Sequence, residues 1–114
     1  IPATLSPRVI GATVRGEIAF DGVLVSDDLS MQALGGGLGE RAARALAAGC
    51  DIALHCNGEP DEMEAVAAAT GPLSPAAAAR LERGEARRTS SRQPFDRAAA
   101  EARFDSLLEE RRAS

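Results

Sequence analysis

Three consecutive residues, Ser26-Asp27-Asp28, follow the apolar run Val23-Leu24-Val25. A hydroxyl and two adjacent carboxylates offer two kinds of chemistry. A carboxylate at the mouth of a pocket attacks an electrophilic carbon or moves a proton. The same side chains also cap free backbone amides or close a turn. Spacing alone leaves both roles open. In an extended segment, alternation puts Val23, Val25 and Asp27 on one face and Leu24, Ser26 and Asp28 on the other.

The other candidate groups point to structure more than to chemistry. His55 has no second histidine with which to share a metal, and no carboxylates stand at ligand spacing. It is expected as a hydrogen-bonded interior or strand-end histidine. Cys50 and Cys56 match neither a zinc pair nor a redox CxxC, and are expected as buried, reduced thiols. Gly35-Gly36-Gly37-Leu38-Gly39 lacks the GK[ST] ending of a phosphate loop and falls outside the dinucleotide spacing, so a flexible loop beside a site is expected. Met31 is read either as a packing residue or as a pocket lining, and Asn57 as a turn residue. Neither a metal nor an organic cofactor is implied.

These residues need elements to position them. Leu5-Ser6-Pro7 carries a capping hydroxyl followed by a proline suited to a first helical turn, and Val9, Ile10, Val14 and Ile18 follow at near-helical period, so a helix is expected over 7–18. Phe20-Asp21-Gly22 turns the chain into a strand at 23–25, apolar on both faces as in a covered parallel sheet. A loop over 27–39 leads to a helix over 40–48, which Gly49 terminates. A second strand spans 51–56, Asn57-Gly58 turns, and a helix covers 61–69. Gly71-Pro72 breaks it, and Leu73-Ser74-Pro75 starts a helix expected to stop at Arg83, ahead of Gly84. Residues 87–94 read as a polar loop and 96–112 as a final helix with Ala100, Phe104, Leu107 and Leu108 on one side. Two strands joined through a helix make a parallel βαβ unit. Two strands alone do not make a stable open sheet, so the chain reads as part of a larger α/β body.

Composition agrees. The 114 residues are 45% hydrophobic, but only 3% are aromatic and much of the rest is alanine, so the core is thin. The net charge of -4 argues against a nucleic-acid partner. No apolar run approaches the roughly 20 residues of a membrane span, and no charged n-region followed by a secretory core is read in these residues. The chain begins at Ile1 without a methionine and is expected to be a processed or cut product.

The stretch PATLSPRVIGATVRGEIAFDGVLVSDDLSMQAL resembles the nucleophile region of glycoside hydrolase family 3. The family pattern has a basic residue, an acidic one two positions on, then Gly, three apolar residues, Ser or Thr, and Asp. Here these are Arg15, Glu17, Gly22, Val23-Leu24-Val25, Ser26 and Asp27. FDG before the strand, SDDLSM after it and AGCDIALHCN beyond are similar to the bacterial β-N-acetylhexosaminidase branch, which removes N-acetylglucosamine from cell-wall muropeptides. Thr13 departs from the aliphatic residue common at its position. The resemblance is specific from Pro2 to Asn57 and weaker beyond.

The resemblance implies an α/β fold: the last two βα units of a TIM (β/α)8 barrel plus C-terminal helices, an incomplete barrel. Residues 1–86 would belong to that barrel and 87–114 would form a linker and C-terminal helix. Asp27 would be the nucleophile of a retaining glycosidase, facing the barrel axis, with Asp28 as a supporting residue that orients the loop or caps amides. The branch draws its acid/base from a His–Asp pair upstream of the residues here, so the isolated chain is expected to be inactive. The implied partner is a carbohydrate, an N-acetylglucosaminide or muropeptide, in the cytoplasm, with no nucleic acid or membrane involved. Self-association through uncovered strands is expected. The alternative is a non-catalytic α/β module whose helices mediate association.

Overall fold

Strands β1 (Val25–Asp28) and β2 (Ile52–Leu54) pair in parallel in a two-stranded sheet, in a computed structural model that describes residues 1–113. Ser114, the last residue of the expected C-terminal segment, lies outside the described residues. Between the strands runs α1 (Leu38–Ala48). After them come α2 (Pro60–Thr70), α3 (Pro75–Ser90) and α4 (Arg97–Ala113). Ahead of the sheet lie a short 3-10 turn (Ala3–Leu5) and a π-helix (Val9–Glu17). The mixed α/β order read from the pattern is present.

Local chemistry explains most boundaries. Gly49 adopts φ 115° after α1, where its N–H donates to Leu46 C=O (3.0 Å) and the Cys50 N–H to Ala45 C=O (3.1 Å). These are the paired bonds of a Schellman stop, which a side chain at this φ disfavours. Pro60 opens α2, with Asp61 and Glu62 in its first turn, where acids complement the helix dipole. Ser74 caps α3 by accepting the Ala77 N–H (3.1 Å), with Pro75 at the first position as expected. Ser6 accepts the Val9 N–H (3.3 Å) in the same way.

Four expectations are corrected. First, the helix expected over 7–18 is wound mostly as a π-helix, whose wider turns shift every side chain off the 3.6-residue period. Ile10 is buried, while Val9 and Ile18 are exposed. It ends with Ala19 at φ 54°, a left-handed conformation that costs an L-residue about 1 kcal/mol. Second, the strand expected at 23–25 starts at Val25 and carries both aspartates, and it is not covered on both sides. Ser26 is buried while Val25 and Asp27 are exposed, because the helices cover one face only. Third, β2 is confined to three residues.

Fourth, α3 does not stop at Arg83 but runs through Gly84 to Ser90, across the first half of the expected loop. One interior glycine costs about 1 kcal/mol. The Glu85–Arg88 pair and the hydroxyls of Ser90 and Ser91, both donating to Arg87 C=O, act in the opposite sense.

The core lies between one sheet face and α1. Leu5, Ile10, Leu29, Leu34, Ala42, Ala45, Ala48 and Cys50 form one cluster, with Leu24, Leu38, Ala53 and Val66 packed at its edge. Alanines on α1 let it approach closely, and Gly39 does the same toward α2: a β-carbon there would sit 2.9 Å from Ala65 C=O. The radius of gyration is 19.2 Å, against about 13 Å for a compact chain of similar length. Most residues of α4 are exposed.

An ionic knot ties the amino-terminal end of the sheet. The Asp51 carboxylate, its side chain 5% exposed, accepts from Arg15 Nη2 (2.8 Å) and the Leu24 N–H (2.9 Å) on Oδ2, and from Arg80 Nη1 (2.6 Å) on Oδ1. Arg15 also donates to the carbonyls of Phe20 (2.7 Å) and Gly22 (2.8 Å), and Arg83 reaches Asp21 (2.9 Å). Removing the carboxylate strands two guanidinium groups and an amide, so Asp51→Ala is expected to cost about 3 kcal/mol in urea unfolding. Ala19→Gly, which relieves a left-handed residue, is expected to shift the same transition the other way by roughly 0.5–1 kcal/mol.

Candidate active site

The carboxyl ends of the two strands are built quite differently from that knot. Asp27 sits one residue from the end of β1 and is exposed. Its Oδ1 accepts the Asp28 N–H (2.9 Å), which fixes the carboxylate plane. Oδ2 has no hydrogen-bond partner among the described residues. The Asp27 N–H donates to Thr4 Oγ1 (2.8 Å). Asp27 lines a cleft of about 160 Å³ together with Pro2, Thr4, Met31 and Leu34. That is smaller than the roughly 300–1,000 Å³ usual for ligand pockets.

Asp28 has the opposite fate. Its Oδ1 accepts from the N–H groups of Ser30 (3.1 Å) and Cys56 (3.3 Å), and Oδ2 accepts the Ser30 hydroxyl. The Ser30 hydroxyl, followed by the Ser30 amide, holds this carboxyl below its ordinary range. Burial opposes the shift, and the Cys56 amide and His55 add to it. Asp28 therefore caps amides and joins the end of β1 to the end of β2, in keeping with its expected supporting role. The two carboxylates are thus differentiated: one is saturated with donors, the other keeps a free oxygen.

The loop after β1 is tied rather than loose. Arg41 of α1 donates to the carbonyls of Leu29 (2.7 Å), Met31 (3.2 Å) and Gly36 (2.9 Å). Its planar fork holds the loop against the helix at several points, a geometry that lysine does not reproduce. Met31 is 43% exposed and lines the Asp27 cleft, which resolves its reading in favour of a lining residue.

Other candidates are not brought to Asp27. Asn57 lines a separate hollow of about 250 Å³ with Ser30, Gly36, Gly37, Arg41 and Glu62. The His55 side chain is 5% exposed, with Nε2 3.0 Å from Glu62 Oε2. That contact is at ion-pair distance but lacks hydrogen-bond alignment, and neither ring nitrogen has a hydrogen-bond partner among the described residues. The expected interior position is found; the expected hydrogen bond is not. Cys50 is buried, and burial pushes its thiol pKa up. Cys56 is exposed, contrary to the expectation of two buried thiols, because it lies just past β2 where the sheet opens. Among the described residues, no three His, Cys, Asp or Glu side chains are grouped to hold a metal ion, and no helix is long and apolar enough to cross a membrane.

Sequence reasoning missed Thr4, Arg41 and Asp51. Thr4 lies 23 residues from its partner Asp27, and no local pattern announces the contact. Arg15 and Gly22 were visible as pattern residues, but their work is structural: the guanidinium binds the Gly22 carbonyl beside β1. Glu17 is exposed.

Parallel α/β barrel enzymes place their active sites at the carboxyl ends of the strands, and Asp27 lies at such an end of a parallel strand–helix–strand unit. Comparison with known proteins narrows this class. Residues 1–87 match the family described as Glycosyl hydrolase family 3 N terminal domain, and the chain belongs to that family. It is 46% identical over 85 residues to a beta-hexosaminidase of Chromobacterium violaceum, covering 72% of this chain and 24% of that protein. It is also 46% identical over 69 residues to a beta-hexosaminidase of Pseudomonas aeruginosa, covering 59% and 21%. A solved glycoside hydrolase family 3 beta-N-acetylglucosaminidase from Paenibacillus sp. str. FPU-7 superposes with a TM-score of 0.66 at 32% identity, over 84% of this chain and 20% of that one. The chain spans about a quarter of the length of the curated relatives it matches.

The lowered Asp28 pKa sets a pH dependence of known sign. A carboxyl depressed in the native state adds stability that is fully present above its ordinary value, 3.8, and is lost as pH falls through the lower native value. Native protein should therefore melt above Asp28→Asn at about pH 7, and the gap should close as pH drops below about 4. Thermal melts across that range test this; a constant gap would refute it.

Proposed function

We propose that the chain is the C-terminal part of a retaining β-N-acetylhexosaminidase. In this reading β1 and β2 are the seventh and eighth strands of a (β/α)8 barrel, residues 1–86 belong to the barrel, and residues 87–114 form the linker and terminal helix. Asp27 is the nucleophile. The substrate is a terminal β-linked N-acetylglucosamine, as in a muropeptide, met in the cytoplasm. Hydrolase activity is in keeping with the beta-hexosaminidase relatives.

One observation carries the reading. Asp27 stands exposed at the carboxyl end of a parallel strand and lines a cleft, with one oxygen anchored by its neighbour's amide and the other without a hydrogen-bond partner among the described residues. A nucleophilic carboxylate needs this arrangement: a fixed plane and an unengaged lone pair aimed at the anomeric carbon. Asp27 Oδ2 bonds to C1 as the glycosidic C–O bond breaks, a separate acid protonates the leaving oxygen, and water then displaces the carboxylate to release the sugar. The bare Val25–Asp27 face and the extended shape favour a body completed by further strands.

Among the described residues, no side chain is placed to supply the acid. Asp28 is held ionised by its donors, and His55, its ring buried against Glu62, is not among the residues that line the Asp27 cleft. The isolated chain should therefore hydrolyse an aryl β-N-acetylglucosaminide at background rate, while the full-length protein that carries it turns over. Asp27→Asn in that protein should lower kcat by roughly 10³-fold or more. A fluorinated, mechanism-based N-acetylglucosaminide should leave its adduct on Asp27 by mass spectrometry, and an adduct on another residue would remove the assignment.

The separated segment should also self-associate. Its sheet has two open edges, and Phe95, Phe104, Leu107 and Leu108 are exposed along and beside α4. Sedimentation velocity should show species larger than the monomer that dissociate on dilution; a monomer at all concentrations would count against this.

A further inference from the structure

The ladder between β1 and β2 is irregular just where Asp27 sits. Val25 pairs with Ile52 and Asp28 with Leu54, so β1 advances three residues while β2 advances two. Such a bulge is rare between parallel strands, and bulges recur next to active sites, where they re-aim a side chain. An extra residue also disturbs the hydrogen bonds around it, and disturbed groups in a half-buried sheet need partners.

Two hydroxyls meet that need. Ser26 is 4% exposed. Its Oγ accepts the Leu54 N–H (2.9 Å) from across the sheet and donates to the Asp27 carbonyl (2.8 Å). On the other side of the same residue, Thr4 Oγ1 accepts the Asp27 N–H (2.8 Å). Both backbone polar groups of Asp27 are thus held by side-chain oxygens, one from its own strand and one from the segment ahead of the sheet. Cysteine or alanine at position 26 would lack the oxygen that bridges β2 to the Asp27 peptide, and valine would fill the space without the bond.

We infer that Ser26 and Thr4 are positioning residues that clamp the Asp27 peptide across the bulge and so hold its free carboxylate oxygen toward the anomeric carbon. This rests on the proposed role of Asp27. Ser26 itself does not touch substrate. The Ser-Asp pairing in the sequence then has a mechanical meaning, in which the hydroxyl splices the ladder and the extra residue turns the carboxylate outward.

The test uses the full-length protein that carries this segment, with Ser26→Ala, Ser26→Val, Ser26→Thr, Thr4→Val and Thr4→Ser beside Asp27→Asn. The readouts are the rate of covalent labelling by the fluorinated N-acetylglucosaminide, counted per folded site, and the split between kcat and KM. Loss of a fixed nucleophile geometry is expected to slow labelling and kcat roughly 10- to 100-fold in Ser26→Ala and Ser26→Val, with KM little changed. Ser26→Thr, which keeps the hydroxyl, should recover most of the rate. Thr4→Ser should likewise exceed Thr4→Val.

Labelling at the native rate in Ser26→Ala, with Asp27→Asn unlabelled, would overturn the clamp and leave the nucleophile assignment standing. Ser26→Thr performing no better than Ser26→Val would also overturn it. So would Ser26→Ala and Ser26→Val both being recovered unfolded while Ser26→Thr is active, since the hydroxyl would then serve the fold alone. An adduct away from Asp27 in the native protein would remove the functional reading and the clamp together.

Discussion

A single buried carboxylate holds the sheet in register with its surroundings. Asp51, at the start of β2, takes two arginines and the Leu24 amide on its two oxygens. Burying a charge in a thin core is costly unless it is paired and fully hydrogen-bonded. Here the donors come from the π-helix, from the chain entering β1 and from α3, so satisfying one acid brings three separate segments to one point. Alanine-rich helices contribute little apolar area per residue. In such a chain, a polar knot with several donors does the locating that a larger hydrophobic core would otherwise do.

The two ends of the sheet consequently differ in kind. At the amino-terminal end charges are matched, and Arg15 of the family pattern is engaged in structure, as is Arg80. At the carboxyl end Asp28 closes the loop onto β2, Arg41 fastens that loop to α1, and the hydroxyls of Ser26 and Thr4 hold the peptide of Asp27. What is left over is one carboxylate oxygen. This contrast sets an end with matched charges against one with an unengaged carboxylate oxygen. It makes sense of a sequence in which two adjacent acids of the same type carry separate duties, because environment and not residue type decides which is saturated.

The exposed features belong to the same picture. Val25 and Asp27 are exposed on one face of β1, α4 is exposed along most of its length, and the radius of gyration is 19.2 Å. The chain spans about a quarter of the length of the curated relatives it matches.

The sequence by itself determined the order of elements, the parallel βαβ unit, the glycine and proline boundaries, the family and the residue to examine first, because hydrophobic period, cap chemistry and a contiguous motif are all local. Only the tertiary structure decided the rest. The π-winding of the first helix, the passage of α3 through Gly84, the exposure of Cys56 and the bulge in β1 each depend on balances of about a kcal/mol that local propensity does not resolve. Thr4 with Asp27, and Arg15 and Arg80 with Asp51, meet across 23 to 36 residues of chain. Which donor reaches which acid was settled by how the backbone closes in space. That closure separates the free carboxylate of Asp27 from the saturated one beside it.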